Sequence, residues 1–193
     1  MWSRRMVLLG LALSGCASET PPVFAPLRYD YLTALPLDVG NIEIDDHWRP
    51  ISAADVGRES PVPPAPALAS MGRDRLRAAG STGRAVFVVD NAALLQNGDT
   101  VSGQFGVHVE IYGADNVRRG FAEARVSRTK SGIARGGTQR ATQLYDLVKQ
   151  MMDVMNVEFE YQVRKTLGRY LVLSAPPAVA PPVTQQKLPP PQR

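Results

Sequence analysis

Apolar and polar positions alternate most regularly between Val101 and Tyr112. Val101, Gly103, Phe105, Val107, Val109 and Ile111 fall on one side, and Ser102, Gln104, Gly106, His108, Glu110 and Tyr112 on the other. A period of two predicts a strand with one face in a core and one face toward water or a partner. Gly113-Ala114-Asp115-Asn116 supplies turn residues, and a second strand is expected from about Arg118 to Thr129. The resulting hairpin has arms of roughly ten residues, long against the usual 5 to 6. Further on, Leu144, Val148, Met151, Met155, Phe159, Val163 and Leu167 recur at steps of three and four, which predicts a helix with one buried stripe. Thr138 is the expected N-cap, and the helix should run to about Leu167, with Gly168 ending it. At 1.5 Å per residue it spans on the order of 43 Å, a match for the long hairpin beneath it.

Weaker patterns complete the domain. Leu37 to Asp45 reads as a strand with Ile42 and Ile44 on one face and Glu43 opposite. Ala67 to Ala79 reads as a helix carrying Leu68, Met71, Leu76 and Ala79 inward, stopped by Gly80. The continuous run Ala85-Val86-Phe87-Val88-Val89 has the look of a strand buried on both faces, and Arg169 to Leu173 suits a short closing strand. The expectation is an α+β fold, a two-layer sandwich in which a mainly antiparallel sheet of about four strands carries two helices on one face, the C-terminal one long.

Proline marks the edges. Residues 16–36 include Pro21-Pro22 and Pro26 and read as an extended linker, with Phe24, Tyr29 and Tyr31 available to pack on the domain. Asp46 to Pro66 carries five prolines, and a loop this long inside a compact domain is often functional. Residues 174–193, with Pro176-Pro177, Pro181-Pro182 and Pro189-Pro190-Pro191, suit an extended tail, a spacer or a ligand for an aromatic groove. The α+β domain is then 37–173.

The N-terminal stretch changes the picture most. Arg4 and Arg5 precede a short apolar run, Met6 to Leu13, and small residues lead to Cys16, the single cysteine. A basic region, an apolar region and a cleavage site make an export signal over 1–15. The apolar run is far short of the ~20 residues that span a bilayer. Leu13-Ser14-Gly15-Cys16 resembles the lipobox of bacterial lipoproteins, which implies cleavage before Cys16, a diacylglycerol on its sulfur and palmitate-type acylation. Because each buried methylene contributes about 0.8 kcal/mol, the several chains of a mature lipoprotein give a durable anchor. Ala17, where the family rule puts Asp for inner-membrane retention, implies the outer membrane, periplasmic face.

Composition narrows the function classes. The chain has 193 residues, 44% of them hydrophobic, and a formal net charge of +4. Removing Arg4 and Arg5 with the signal takes the 22 basic residues to 20 against 18 acidic ones, too even a balance for nucleic-acid binding. With Cys16 lipidated, no thiol remains for a disulfide, a metal or a nucleophile. His47 and His108 are the only histidines. His108 lies on the polar side of its strand and can pair with Glu110. Asp45-Asp46-His47 is too tightly spaced for one ion, since zinc sites draw ligands from further apart. Gly132 to Thr138 lacks the Gly-Lys-Ser/Thr ending of a phosphate loop. The reading is therefore a non-enzyme with no cofactor and no metal. Arg118, Arg119, Arg125, Arg128, Lys130 and Arg135, with Arg140, gather positive charge around the second hairpin arm, a candidate surface for an anionic lipid or an envelope protein. Met151, Met152 and Met155 suit core packing better than a lipid groove.

The order of elements behind the lipobox is similar to two sets of outer-membrane lipoproteins, the LptE-type lipopolysaccharide-assembly lipoproteins and the auxiliary lipoproteins of lipid-transporting ABC systems. The stretch from Leu144 to Tyr161 also resembles an alphaproteobacterial lipoprotein family of unassigned function. These resemblances imply a membrane-anchored accessory module for envelope assembly or lipid transport. The alternative is a structural tether with proline-rich spacers.

Overall fold

The protein is described by a computed structural model over residues 22–172. Cys16, the signal preceding it and the proline-rich tail lie outside the described residues. In chain order the elements are β1 (Leu35–Leu37), β2 (Asn41–Asp45), α1 (Pro64–Arg75), β3 (Leu76–Ala78), β4 (Arg84–Asn97), β5 (Thr100–Tyr112), β6 (Arg118–Lys130) and α2 (Gly137–Thr166). The main sheet runs β2-β4-β5-β6, with β2 parallel to β4 and the other neighbours antiparallel. Both helices cover one face, α1 over β4 and β2, α2 over β6 and β5. This is the expected two-layer α+β sandwich.

The β5-β6 hairpin and α2 form where the periodicity places them. The inward residues Val101, Phe105, Val107, Val109 and Ile111 are buried, as are Ala122 and Ala124 opposite them on β6. All seven residues of the helical stripe, Leu144 to Leu167, Met151 and Met155 among them, are buried against this face, and so is Met152. Phe159 meets Phe87 edge to face at 5.6 Å, and the Met151 sulfur lies so close over Gly103 that a Cβ there would overlap it. Such interdigitation of large and small residues is what close-packed interiors require.

Five expectations are corrected. The strand expected over Leu37 to Asp45 breaks at Asp38-Val39-Gly40 into β1 and β2, because the first half pairs with β3 and the second with β4. The first helix begins earlier, with Pro64 at its first position where a missing N–H costs nothing, and ends at Arg75. Leu76 is buried as part of β3, parallel to β1, while Ala79 is exposed. The run Ala85 to Val89 is the start of a 14-residue strand, and Val86 and Val88 point to the uncovered face, only half-buried. Beyond a bulge at Asp90, β4 continues to Asn97 and turns into β5 through Gly98 at φ +63, the two-residue connection that favours glycine first. Finally, the N-cap of α2 is Gly136 and no side chain caps it, so Thr138 lies within the helix. The closing strand reduces to an isolated bridge between Leu37 and Leu171.

Three ion pairs, each with one buried partner, tie the layers together. Arg75, 1% exposed, donates to Asn156 Oδ1 at 3.1 Å and to the Glu160 carboxylate. Burial pushes the Glu160 carboxyl up, but hydrogen bonds from Arg164 and Arg75 outweigh it and hold the group below the usual range. Arg140 donates to Glu59 at 2.7 Å, Gln96 at 2.8 Å and the Ala134 carbonyl at 3.0 Å. Arg28 clamps Asp74 through two bonds of 2.9 and 2.8 Å, and the Tyr29 N–H donates to the same carboxylate at 2.8 Å. That clamp buries Tyr29 and leaves Tyr31 exposed, so the end of the expected linker packs on the domain.

Candidate functional site: a depression on the uncovered sheet face

Neither helix touches the second face of the sheet. Its side chains come from alternate positions of four strands: Glu43 and Asp45 on β2, Arg84, Val86 and Val88 on β4, Gln104, His108, Glu110 and Tyr112 on β5, and Phe121, Glu123, Arg125 and Ser127 on β6. The alternation that buries one set exposes the other, so core and open face are dictated by the same residues in turn.

The face is dented where β4 bulges. Val89 pairs with Val107 and Asn91 with Gly106, leaving Asp90 without an opposite residue. Such a bulge bends a strand and re-aims its side chains. Gly106, between Asn91 and Arg125, adds no side chain to the floor. A cleft of about 620 Å³ forms here, lined by Asp90, Asn91, Gln104, Arg125 and Ser127. A second, of about 380 Å³, shares Asp90, Asn91 and Gln104 with it and extends to Trp48, Arg49 and Ile51.

The long proline-bearing loop forms the far wall. β2 pairs with β4 only as far as Val88. The loop takes up the β4 edge again at Leu94, where the Val56 N–H donates to the Leu94 carbonyl at 2.8 Å and the Gln96 N–H to the Ala54 carbonyl at 2.9 Å. Between these two attachments sits Trp48, beside a more apolar cleft of about 200 Å³ lined by Pro50, Asp55, Pro63, Pro64 and Ala92. Asp55 holds the loop's turn by accepting from the Gly57 N–H at 2.7 Å.

Electrostatically the depression is mixed. His108 Nδ1 lies 2.8 Å from both carboxylate oxygens of Asp90, and its ring is 5.3 Å from that of Phe121. The expected partner Glu110 is occupied instead by the Tyr112 hydroxyl at 2.6 Å and Arg118 at 2.5 Å. The Tyr112 bond, then that of Arg118, holds the Glu110 carboxyl below its ordinary range, and the same contact with Glu110 raises the Tyr112 hydroxyl. Asp45 is likewise held down, first by the His47 N–H and then by the His47 ring, 2.6 Å away. Chemically the depression sets the donors and acceptors of Asp90, Asn91, Gln104, Arg125 and Ser127 beside the indole of Trp48, a surface suited to a polypeptide or another mixed polar ligand.

The basic residues singled out in the sequence do not converge on one point. Arg118 pairs with Glu110, Arg119 with Asp115 and Arg125 with Glu123, while Arg140 is buried in its own network. Arg128 and Lys130, in register with Gly103 and Val101 at the far end of β6, and Arg135 before α2 make no ion pair among the described residues. Among those residues no group of three His, Cys, Asp or Glu side chains is placed to hold a metal. Trp48, Asp90, Asn91 and Ser127 escaped the sequence reading, which sets Gln104 on the outward face of its strand without a site role. The Asn97-Gly98 turn is a local signal that extends β4 past these residues, but register counted from it sets Asp90 opposite Val107, because the bulge that frees Asp90 leaves no mark in the spacing.

No helix among the described residues is long and apolar enough to cross a membrane. No known protein family matches the chain, and no curated protein does. A solved structure, a minor lipoprotein from Acinetobacter baumannii, aligns over 63% of this chain and 94% of its own, at 14% identity and a TM-score of 0.29. At that score the likeness carries no argument about this chain.

Proposed function

We propose that this protein is a lipid-anchored accessory protein of the bacterial envelope, held by Cys16 on the periplasmic side of the outer membrane, that works by binding. In this reading the depression around Asp90, His108 and Gln104 holds a segment of an envelope protein. The observation that carries the proposal is the order of charge, apolar run and small residues ending in Leu13-Ser14-Gly15-Cys16. That order supports lipidation, and lipidation leaves no thiol for chemistry. The interleaved charges of the open face support a protein partner over an anionic lipid, since most of its arginines already face carboxylates. A role in envelope assembly or lipid transport follows from location and binding, not from any catalytic group.

The test is metabolic labelling with palmitate, followed by membrane fractionation. Incorporation of label and outer-membrane recovery that both vanish in Cys16→Ser support the proposal. A Cys16→Ser protein that fractionates like the wild type refutes it.

A further inference from the structure

The main sheet ends on β6, and among the described residues that edge is open. Among the described residues, the backbone of Gly120–Lys130 makes hydrogen bonds only to β5. One end is closed: Tyr170 and Arg169 each donate to the Arg119 carbonyl at 2.8 Å. Past that point the edge runs without proline or bulge, so its outward N–H and C=O groups form a template for another strand.

The helix above supplies a wall. Asn156 and Glu160 point from α2 toward Arg75 of α1. Since α2 lies chiefly over β6, the flank turned away from α1 overhangs the open edge. Val154 and Tyr161 occupy that flank, with Val157 on the solvent side beside them, and they are 51, 55 and 73% exposed. Large apolar side chains beside an unpaired edge favour an added strand whose alternate residues turn toward the helix.

Charge selects the occupant. On β6, Arg118, Arg119 and Arg125 already face Glu110, Asp115 and Glu123, whereas Arg128 and Lys130 make no ion pair among the described residues and leave the far end of the edge cationic. Such an edge repels a second copy of itself, since cationic edge residues are a common guard against self-pairing. It attracts a strand of the opposite sign. We propose that the β6 edge, roofed by the α2 flank, is a docking site for an acidic, extended segment of another protein, which adds to the sheet as a fifth strand. The surface is distinct from the depression on the open face, so it stands whether or not that depression binds anything.

The experiment uses the purified chain and a fluorescein-labelled ten-residue peptide alternating Glu with Val and Thr, followed by anisotropy and by amide exchange. The expected result is salt-sensitive binding, weakened at least tenfold by Val154→Glu or by Arg128→Glu with Lys130→Glu. N-methylating alternate peptide residues should abolish it, and alternate amides between Phe121 and Thr129 should slow in exchange. A Lys-for-Glu peptide binding equally well, an N-methylated peptide binding unchanged, or protection appearing elsewhere than β6 would overturn the proposal. So would failure of the acidic peptide to bind.

Discussion

The two faces of the main sheet are made by the same three long strands and could hardly differ more. On the covered face Phe87, Phe105 and Val107 meet Met151 and Phe159 with almost no exposed surface. On the other, Val88, His108 and Glu123 look outward with no layer above them among the described residues. One face is therefore governed by volume and the other by pairing of charge. Substitutions on the first should register as stability, and substitutions on the second as binding. The two clefts that share Asp90 lie on the second face because it alone has room.

The largest effect is expected where volume is removed. Phe159→Ala leaves a cavity beside Phe87 and should cost about 3–5 kcal/mol in urea unfolding. Overpacking comes next. Gly103→Val forces Met151 away from the sheet and should cost about 1–3 kcal/mol by the same measurement. A third test uses pH. The Asp74 carboxyl is held below its ordinary value of 3.8, first by the hydrogen bond from Arg28 and also by the Tyr29 N–H. A depressed carboxyl stabilises the folded chain above the unfolded value, and that stabilisation is lost as pH falls below about 3.8 toward the folded one. Acid should therefore release the segment around Tyr29 before the sheet unfolds, visible as a rise in proteolysis near Tyr31, and Asp74→Asn should show the same release at neutral pH. The smallest effect belongs to the open face, where Gln104→Ala and Ser127→Ala should change stability by less than about 0.5 kcal/mol. If they cost as much as Gly103→Val, the contrast between the faces fails.

How much of this was legible depends on the length of uninterrupted period. β5 runs from Val101 to Ile111 without losing phase, and α2 keeps its stripe from Leu144 to Leu167, so both were readable. β4 was not. At Asp90 the bulge adds a residue, and Asn91 and Ala92 then exchange the faces that alternation from Val89 would give them. β3 has three residues and exists only through its pairing with β1, a tertiary fact that local propensity cannot supply. The depression was hidden for the same reason, since Trp48, Asp90, Gln104 and Arg125 are joined by sheet register and not by spacing along the chain. His108 was noticed, but with Glu110 as partner, because the residue two along is visible in sequence and the one across a bulge is not.

The account rests on contact made through the uncovered face. It is tested most directly by placing a photocrosslinking residue at Gln104, at Ser127 and, for contrast, at Asp153 on the solvent side of α2, in cells carrying the full chain. The account predicts the same discrete protein adduct from Gln104 and Ser127, none from Asp153, and loss of the adduct in Cys16→Ser. No adduct from the sheet positions, or an equal one from Asp153, would contradict it.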